Sequence, residues 1–318
     1  MKIPDLSIFK KYSQTPVLKN CLNCKRVKPV AQLEKDVFCA KPALQKIETT
    51  VYNPYTSQMQ SGIFNIDLKK PAELVFDRFK RISQRNKPVT LRYNPENTAY
   101  VYKKIHTAEN GIKKQKMKVN VLTSTDGESI TTYHFFTPDL KREIGYVSIA
   151  DCRLLKKNNF YEYSKEAYFN KPLHINHKKE GIVGDRIKID YLQNWDDKKY
   201  GGIGELADRL SVEYCINNNL PLNIVSEADI NSHIAHYKRG KRFFMPATES
   251  NAGDFFKNRY GTKNPNQIIK KLLSESRDAR IDTGSWGCLP MYMPQELAQK
   301  YAGMAKNSPI IKDFKPLD

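Results

Sequence analysis

The chain has 318 residues, and its 53 Lys+Arg against 34 Asp+Glu give a formal net charge of +19, which draws polyanions such as nucleic acid, acidic membrane surfaces or phosphorylated cofactors. A hydrophobic share of 40% supports one core diluted by polar segments and excludes a fully disordered chain. No window approaches the roughly 18 apolar residues of a membrane span, and Pro4 and Asp5 interrupt the N-terminal stretch before a signal-like apolar run forms, so the expectation is a soluble cytoplasmic protein.

Residues 1–60 are basic, with scattered Pro and no sustained period, and are expected to be a largely disordered or draped extension. Cys21 and Cys24 form a C-x-x-C pair with Cys39 beyond it. No second pair or nearby His completes four zinc ligands, so reduced thiols and no metal are expected. Over residues 71–85, Leu74, Val75, Phe79 and Ile82 recur at helical spacing and Pro71 suits a first turn, which predicts a helix. The period then changes. Thr98–Ile105, Met117–Leu122, Ile130–Phe136 and Glu143–Ile149 are rich in β-branched and aromatic residues, with turn signals at Asn110-Gly111 and Asp126-Gly127. They predict an antiparallel meander. The run Lys103, Lys104, Lys113, Lys114, Lys116 and Lys118 falls here and reads without the aromatic interleaving of a single-strand binding groove. Residues 155–184 are polar and predict a long substrate-side connection.

A strand over Arg186–Leu192 runs into Gly201, Gly202 and Gly204, and a helix follows whose stripe is Ile203, Leu206, Ala207, Leu210 and Tyr214. A short strand at Leu220–Ser226, a helix over Asp229–Arg239 and a strand at Phe243-Phe244 complete an α/β order. Residues 246–318 read as a peripheral extension of helical pieces, 266–275 and 294–306, with an apolar island at 285–292 expected to dock on the domain.

Glycines between a strand and a helix allow positive φ and close approach of a ligand. The first helical amides have no internal partners, and with the helix dipole they attract anions. A Walker loop is excluded because Gly204 is followed by Glu205 and Leu206 instead of Lys and Ser or Thr, and the dinucleotide pattern lacks its third glycine. The segment Lys199-x-x-Gly202-x-Gly204 does resemble the acetyl-coenzyme A motif R/Q-x-x-G-x-G/A of the GNAT acyltransferase superfamily, with Lys in place of Arg or Gln. The resemblance extends to the flanking strand and helix, to Asn231…Ala235…Tyr237…Gly240…Phe243, and to the strand Glu143–Ile149. It covers roughly residues 70–245 in outline and about 60 residues in detail, and the implied acyltransferase domain is 61–245.

That resemblance implies an α+β, GNAT-like fold: a mostly antiparallel central sheet, helices on both faces, and a V-shaped opening at the cofactor strand. It implies transfer of an acetyl group from acetyl-CoA to an amine by direct attack in a ternary complex. The main chain of Lys199, Tyr200, Gly201, Gly202, Ile203 and Gly204 would hold the pyrophosphate. Leu192, Gln193 and Asn194 would hold pantetheine and the thioester carbonyl, where a main-chain donor stabilises developing charge, and Asn231 would join the cofactor site. Tyr237 would protonate the departing thiolate and Asp190 would accept the amine proton, with Asp185, His174 and His177 as weaker bases. Ser148 beside His134 suggests a nucleophile, but no acid completes a triad in the sequence. Cys215 reads as core. The alternative is a non-catalytic basic module for nucleic acid or a protein partner on a degenerate GNAT fold. The acceptor and the oligomeric state are not legible.

Overall fold

The computed structural model describes residues 44–53, 58–76, 88–107, 111–127, 129–157, 186–228, 232–243, 251–275, 283, 286 and 289–305, all within one compact unit, Pro42–Asp318. A hairpin of β1 (Gln45–Asn53) and β2 (Gln58–Ile66) comes first. It corrects the expectation of a draped segment up to residue 60, because Ile47, Val51 and Ile66 alternate inward and are buried. The helix expected from Pro71 is also corrected, as Ala72–Phe76 is strand β3, paired with β4 (Val89–Tyr93). Leu74 and Phe76 are buried while Val75 between them is 43% exposed. A period of two therefore governs these residues, and the apolar positions that suggested a helical period, Phe79 and Ile82, lie outside the described residues.

The meander is present as β5 (Thr98–His106), β6 (Ile112–Asp126), β7 (Ile130–Phe136) and β8 (Glu143–Asp151), each antiparallel to the next. A short helix α1 (Cys152–Lys157) follows. Next come β9 (Ile187–Asn194), β10 (Tyr200–Gly201), α2 (Ile203–Asn217), β11 (Ile224–Ala228), α3 (His233–Lys238) and β12 (Arg242–Phe243). The chain then forms α4 (Asn251–Tyr260), α5 (Pro265–Glu275), β13 (Leu289–Tyr292) and α6 (Gln295–Ala305). The sheet order is β10-β5-β6-β7-β8-β9-β11-β13-β12, with β4 joined to β6 and β3 to β4. The architecture is α+β, with a mostly antiparallel open sheet.

Neighbouring residues on a strand face opposite ways, and both faces are apolar here. Val121 and Phe135 join a cluster with Leu206 and Leu210 of α2 and with Ala298 and Tyr301 of α6. Their neighbours Leu122 and Phe136 join another with Val51, Leu74 and Leu91. Each such side chain contributes about 1.5–3 kcal/mol on burial. Helices on both faces were the expectation, but strands β1–β4 cover the second face over β6 and β7 because their alternating Leu, Val and Phe supply the apolar surface. The last segment is not peripheral. β13 lies between β11 and β12 within the sheet, and Tyr301 is fully buried. Among the described residues, no helix is long and apolar enough to cross a membrane.

The neighbours β9 and β11 are parallel, whereas the other strand pairs of this sheet are antiparallel. Their pairing covers Ile187–Ile189 against Ile224–Ser226 and then stops. β9 continues to Asn194 on the β8 side, and β11 continues to Ala228 on the β13 side. Past Ile189 the two strands no longer pair, and among the described residues the β11-facing edge of β9 has no strand partner.

Candidate functional site

The end of β9 beyond its pairing with β11, with the turn and helix that follow, is where the sequence places most of its candidates. The register of β8 against β9 shifts between Ser148 and Ile149, which pairs Ile149 with Ile189 and Ser148 with Tyr191 and leaves Asp190 as an extra residue. A bulge of this kind bends and re-aims a strand. It corrects the regular alternation that put Asp190 on one face with Leu192 and Asn194. The Asp190 carboxylate is instead ion-paired to Lys188 Nζ at 3.0 Å. Leu192 packs against the α2 cluster, and Gln193 is exposed.

The turn after β9 uses many of its own donors. Asn194 Oδ1 accepts from the Asp196 amide at 3.2 Å, and Asn194 Nδ2 donates to the Tyr200 carbonyl at 3.0 Å. The Lys199 amide donates to Asp196 Oδ1 at 3.0 Å and the Tyr200 amide to the Asp196 carbonyl at 2.8 Å. These two amides are therefore committed, a correction to the expectation that the whole run from Lys199 would face a diphosphate. The remaining donors lie one step later. Gly202 sits at φ 83, a left-handed position that favours glycine, and no side chain caps the helix that begins at Ile203. An α-helix leaves its first amides without internal acceptors, here those of Ile203, Gly204 and Glu205. The Ile203 and Tyr200 side chains are buried in the core, and only their backbone is available.

A residue that the sequence did not single out lies over this first turn. A Cβ on Gly204 would come within 2.8 Å of Arg239 Nη1. Arg239 Nε donates to Asp208 Oδ2 at 2.9 Å and its Nη2 contacts His236 Nδ1 at 2.8 Å. Asp208 is fully buried, and its Oδ1 is ion-paired to the equally buried Lys241 Nζ at 2.8 Å. Lys241 also donates to Ser226 Oγ of β11 at 3.2 Å. Burial first, and then the Lys241 and Arg239 cations, hold His236 well below its ordinary pKa, which leaves it neutral and able to accept from Arg239. Two cations against one carboxylate leave a net positive charge beside the first amides of α2, a setting that favours an anion. No local pattern marked this arrangement, since Asp208 lies off the apolar stripe of α2 and its carboxylate is met by cations from later segments, as a buried charge requires.

Tyr237 lies on α3, half-buried against a third apolar cluster that contains Ile234, Phe243 and Trp286. The Arg242 guanidinium is 4.5 Å from its ring centroid. Asn231, Asp185, His174 and His177 lie outside the described residues, as do Cys21, Cys24 and Cys39. Cys215 is buried, and burial pushes its thiol up to about 12, which excludes a resting thiolate nucleophile. His134 does have an acid partner, Glu143 Oε1 at 2.7 Å from Nδ1, and a hydroxyl, Ser124 Oγ at 2.8 Å from Nε2. Ser148 is hydrogen-bonded to Thr132 instead. The other oxygen of Glu143 accepts the Tyr52 amide at 2.8 Å, so this chain of bonds fastens the β1–β2 hairpin to the main sheet.

No protein-family model matches the chain, and comparison with curated proteins and with solved structures finds no match.

Proposed function

We propose that the chain is an N-acyltransferase of GNAT type that moves an acetyl group from acetyl-CoA to an amine. The observation that carries the reading is the parallel pair β9–β11, whose pairing stops after Ile189 and which lies in the same strand–turn–helix unit as the uncapped, glycine-started helix α2. An unpaired strand edge offers main-chain donors, and a helix start offers an anion site. Together they suit an extended ligand with a carbonyl at one end and a diphosphate at the other. The family motif Lys199-x-x-Gly202-x-Gly204 spans that junction.

On this reading the amides of Ile203, Gly204 and Glu205 bind the diphosphate and Arg239 adds charge beside them. The unpaired edge of β9, Tyr191 to Asn194, hydrogen-bonds the pantetheine and the thioester oxygen, and a donor there is worth most as charge develops on that oxygen. Asp190 accepts the amine proton once Lys188 releases it, and Tyr237 donates a proton to the leaving sulfur. Amine attack is direct, in keeping with a Cys215 thiol that stays protonated.

A ligand that binds only the folded state raises its melting temperature. Acetyl-CoA at about a hundredfold excess over Kd is expected to add about 2.7 kcal/mol of stability, a shift of several degrees. Gly202→Glu puts a negative side chain at the diphosphate position and removes the shift. Tyr237→Phe keeps the shift and slows release of free CoA thiol in a panel of amine acceptors. Absence of any shift in the unaltered chain overturns the proposal.

A further inference from the structure

The ribbon formed by β5 and β6 carries Lys103, Lys104, Lys113, Lys114, Lys116 and Lys118, with no Asp or Glu among its described residues 98–107 and 111–120. The antiparallel register runs without a bulge, pairing Tyr100 with Lys118, Tyr102 with Lys116 and Lys104 with Lys114. Paired residues share a face, so Tyr100, Tyr102, Lys104, Lys114, Lys116 and Lys118 line one side. Lys114, Lys116 and Lys118 are exposed and recur every second residue, about 7 Å apart. The two tyrosines are half-buried and in contact with the cluster that contains Val101 and Tyr200. Lys116 Nζ rests 4.1 Å from the Tyr100 ring centroid, a cation–π contact of about 0.5–1 kcal/mol at an exposed site.

Lys104, opposite Lys114, donates its Nζ to the Asp197 carbonyl at 2.6 Å, so the exposed cations of this face are those of Lys114, Lys116 and Lys118. The aromatic interleaving that the linear sequence lacks is supplied across the pair, since the tyrosines belong to β5 and most of the lysines to β6. We propose that this face binds single-stranded nucleic acid, with Lys114, Lys116 and Lys118 on phosphates and Tyr100 and Tyr102 stacking on bases. A base displaces the Lys116 ammonium from Tyr100 and a phosphate receives it. A membrane surface fits less well. The exposed apolar residues Ile105 and Ile112, 38% and 55% accessible, lie on opposite sides of the ribbon and make no common patch to insert. The proposal stands apart from acyl transfer and does not require it.

The test is fluorescence anisotropy of a labelled oligouridylate of about 16 nucleotides with the full chain, over salt from about 50 to 200 mM. Binding is expected to weaken steeply with salt. The triple variant Lys114→Glu, Lys116→Glu, Lys118→Glu is expected to bind about tenfold or more weakly, with a log–log salt slope shallower by about two units, since each phosphate contact on a single strand contributes about 0.7. Tyr102→Leu is expected to weaken binding about fivefold or more at an unchanged slope. Failure to bind at low salt overturns the proposal, as does equal affinity for duplex RNA or for phosphatidylserine vesicles, an unaltered slope in the triple variant, or full affinity in Tyr102→Leu. The acetyl-CoA melting shift, measured in the same triple variant, is expected to be unchanged. Its loss would assign these lysines to the cofactor's phosphates and also overturn the proposal.

Discussion

A methyl group added at Gly145 would collide with the backbone carbonyl of Gln193 across the β8–β9 pair. The opposing atom is main chain, which cannot rotate away, so Gly145→Ala must push β9 from β8 where β9 leads toward α2. Overpacking of this kind costs about 1–3 kcal/mol, and a urea unfolding midpoint lowered by that amount at an unchanged slope is the expected result. An unchanged midpoint would mean that β9 is less closely seated. A second residue argues through pH. Glu213 is buried, and that burial, only partly opposed by a hydrogen bond with Asn217, raises its pKa from 4.5 to about 8. In the unfolded chain Glu213 ionises near 4.5, whereas in the fold it stays protonated. Stability is therefore lost as pH climbs from about 4.5 to about 8 and levels above that. Glu213→Gln removes this loss. It should be more stable than the unaltered chain at pH 8, with the difference closing below about pH 4.5. A gap independent of pH in denaturant titrations would refute the assignment.

Among the elements, α2 is held by charge as well as by apolar packing. Asp208 links it to Lys241 before β12 and to Arg239 after α3, while Lys241 reaches β11 through Ser226. Removing one partner of a buried pair leaves an uncompensated charge and costs about 3–5 kcal/mol. Asp208→Asn should show that loss in equilibrium unfolding, and Asp208→Leu with Lys241→Met should recover most of it. If the single variant is as stable as the unaltered chain, the pair does not hold α2. Strands β5 to β8 and helix α2 were legible in the sequence because β-branched and apolar residues keep one period for a full element. β3 was not, because adjacent Leu74 and Val75 satisfy either period over five residues and only pairing with β4 decides. The order of the site was legible in part. The Gly202 turn announces itself through its glycines and the Lys199 and Tyr200 amides are committed locally to Asp196, but the cover by Arg239 depends on a contact between segments that no local pattern encodes.

For the molecule as a whole, the proposed cofactor site and the proposed nucleic-acid face adjoin. Tyr200 pairs with Lys103 and Gly201 with Tyr102, so the strand leading into α2 is the edge strand of the basic ribbon. Six of the 53 Lys+Arg lie on that ribbon, and the remaining basic residues are spread along the chain. The segment 289–305 completes the sheet and buries Tyr301 against α2, so truncation before Leu289 should unfold the chain cooperatively. A truncated chain with an unaltered thermal transition would show that segment to be dispensable. The two proposed sites are separable by where a ligand slows amide exchange. Hydrogen exchange read by mass spectrometry with and without acetyl-CoA tests the acyltransferase reading most directly. Protection concentrated in the peptide that spans Ile203, Gly204 and Glu205 is the predicted result, and protection confined to the β5–β6 ribbon, or none at saturating ligand, would contradict it.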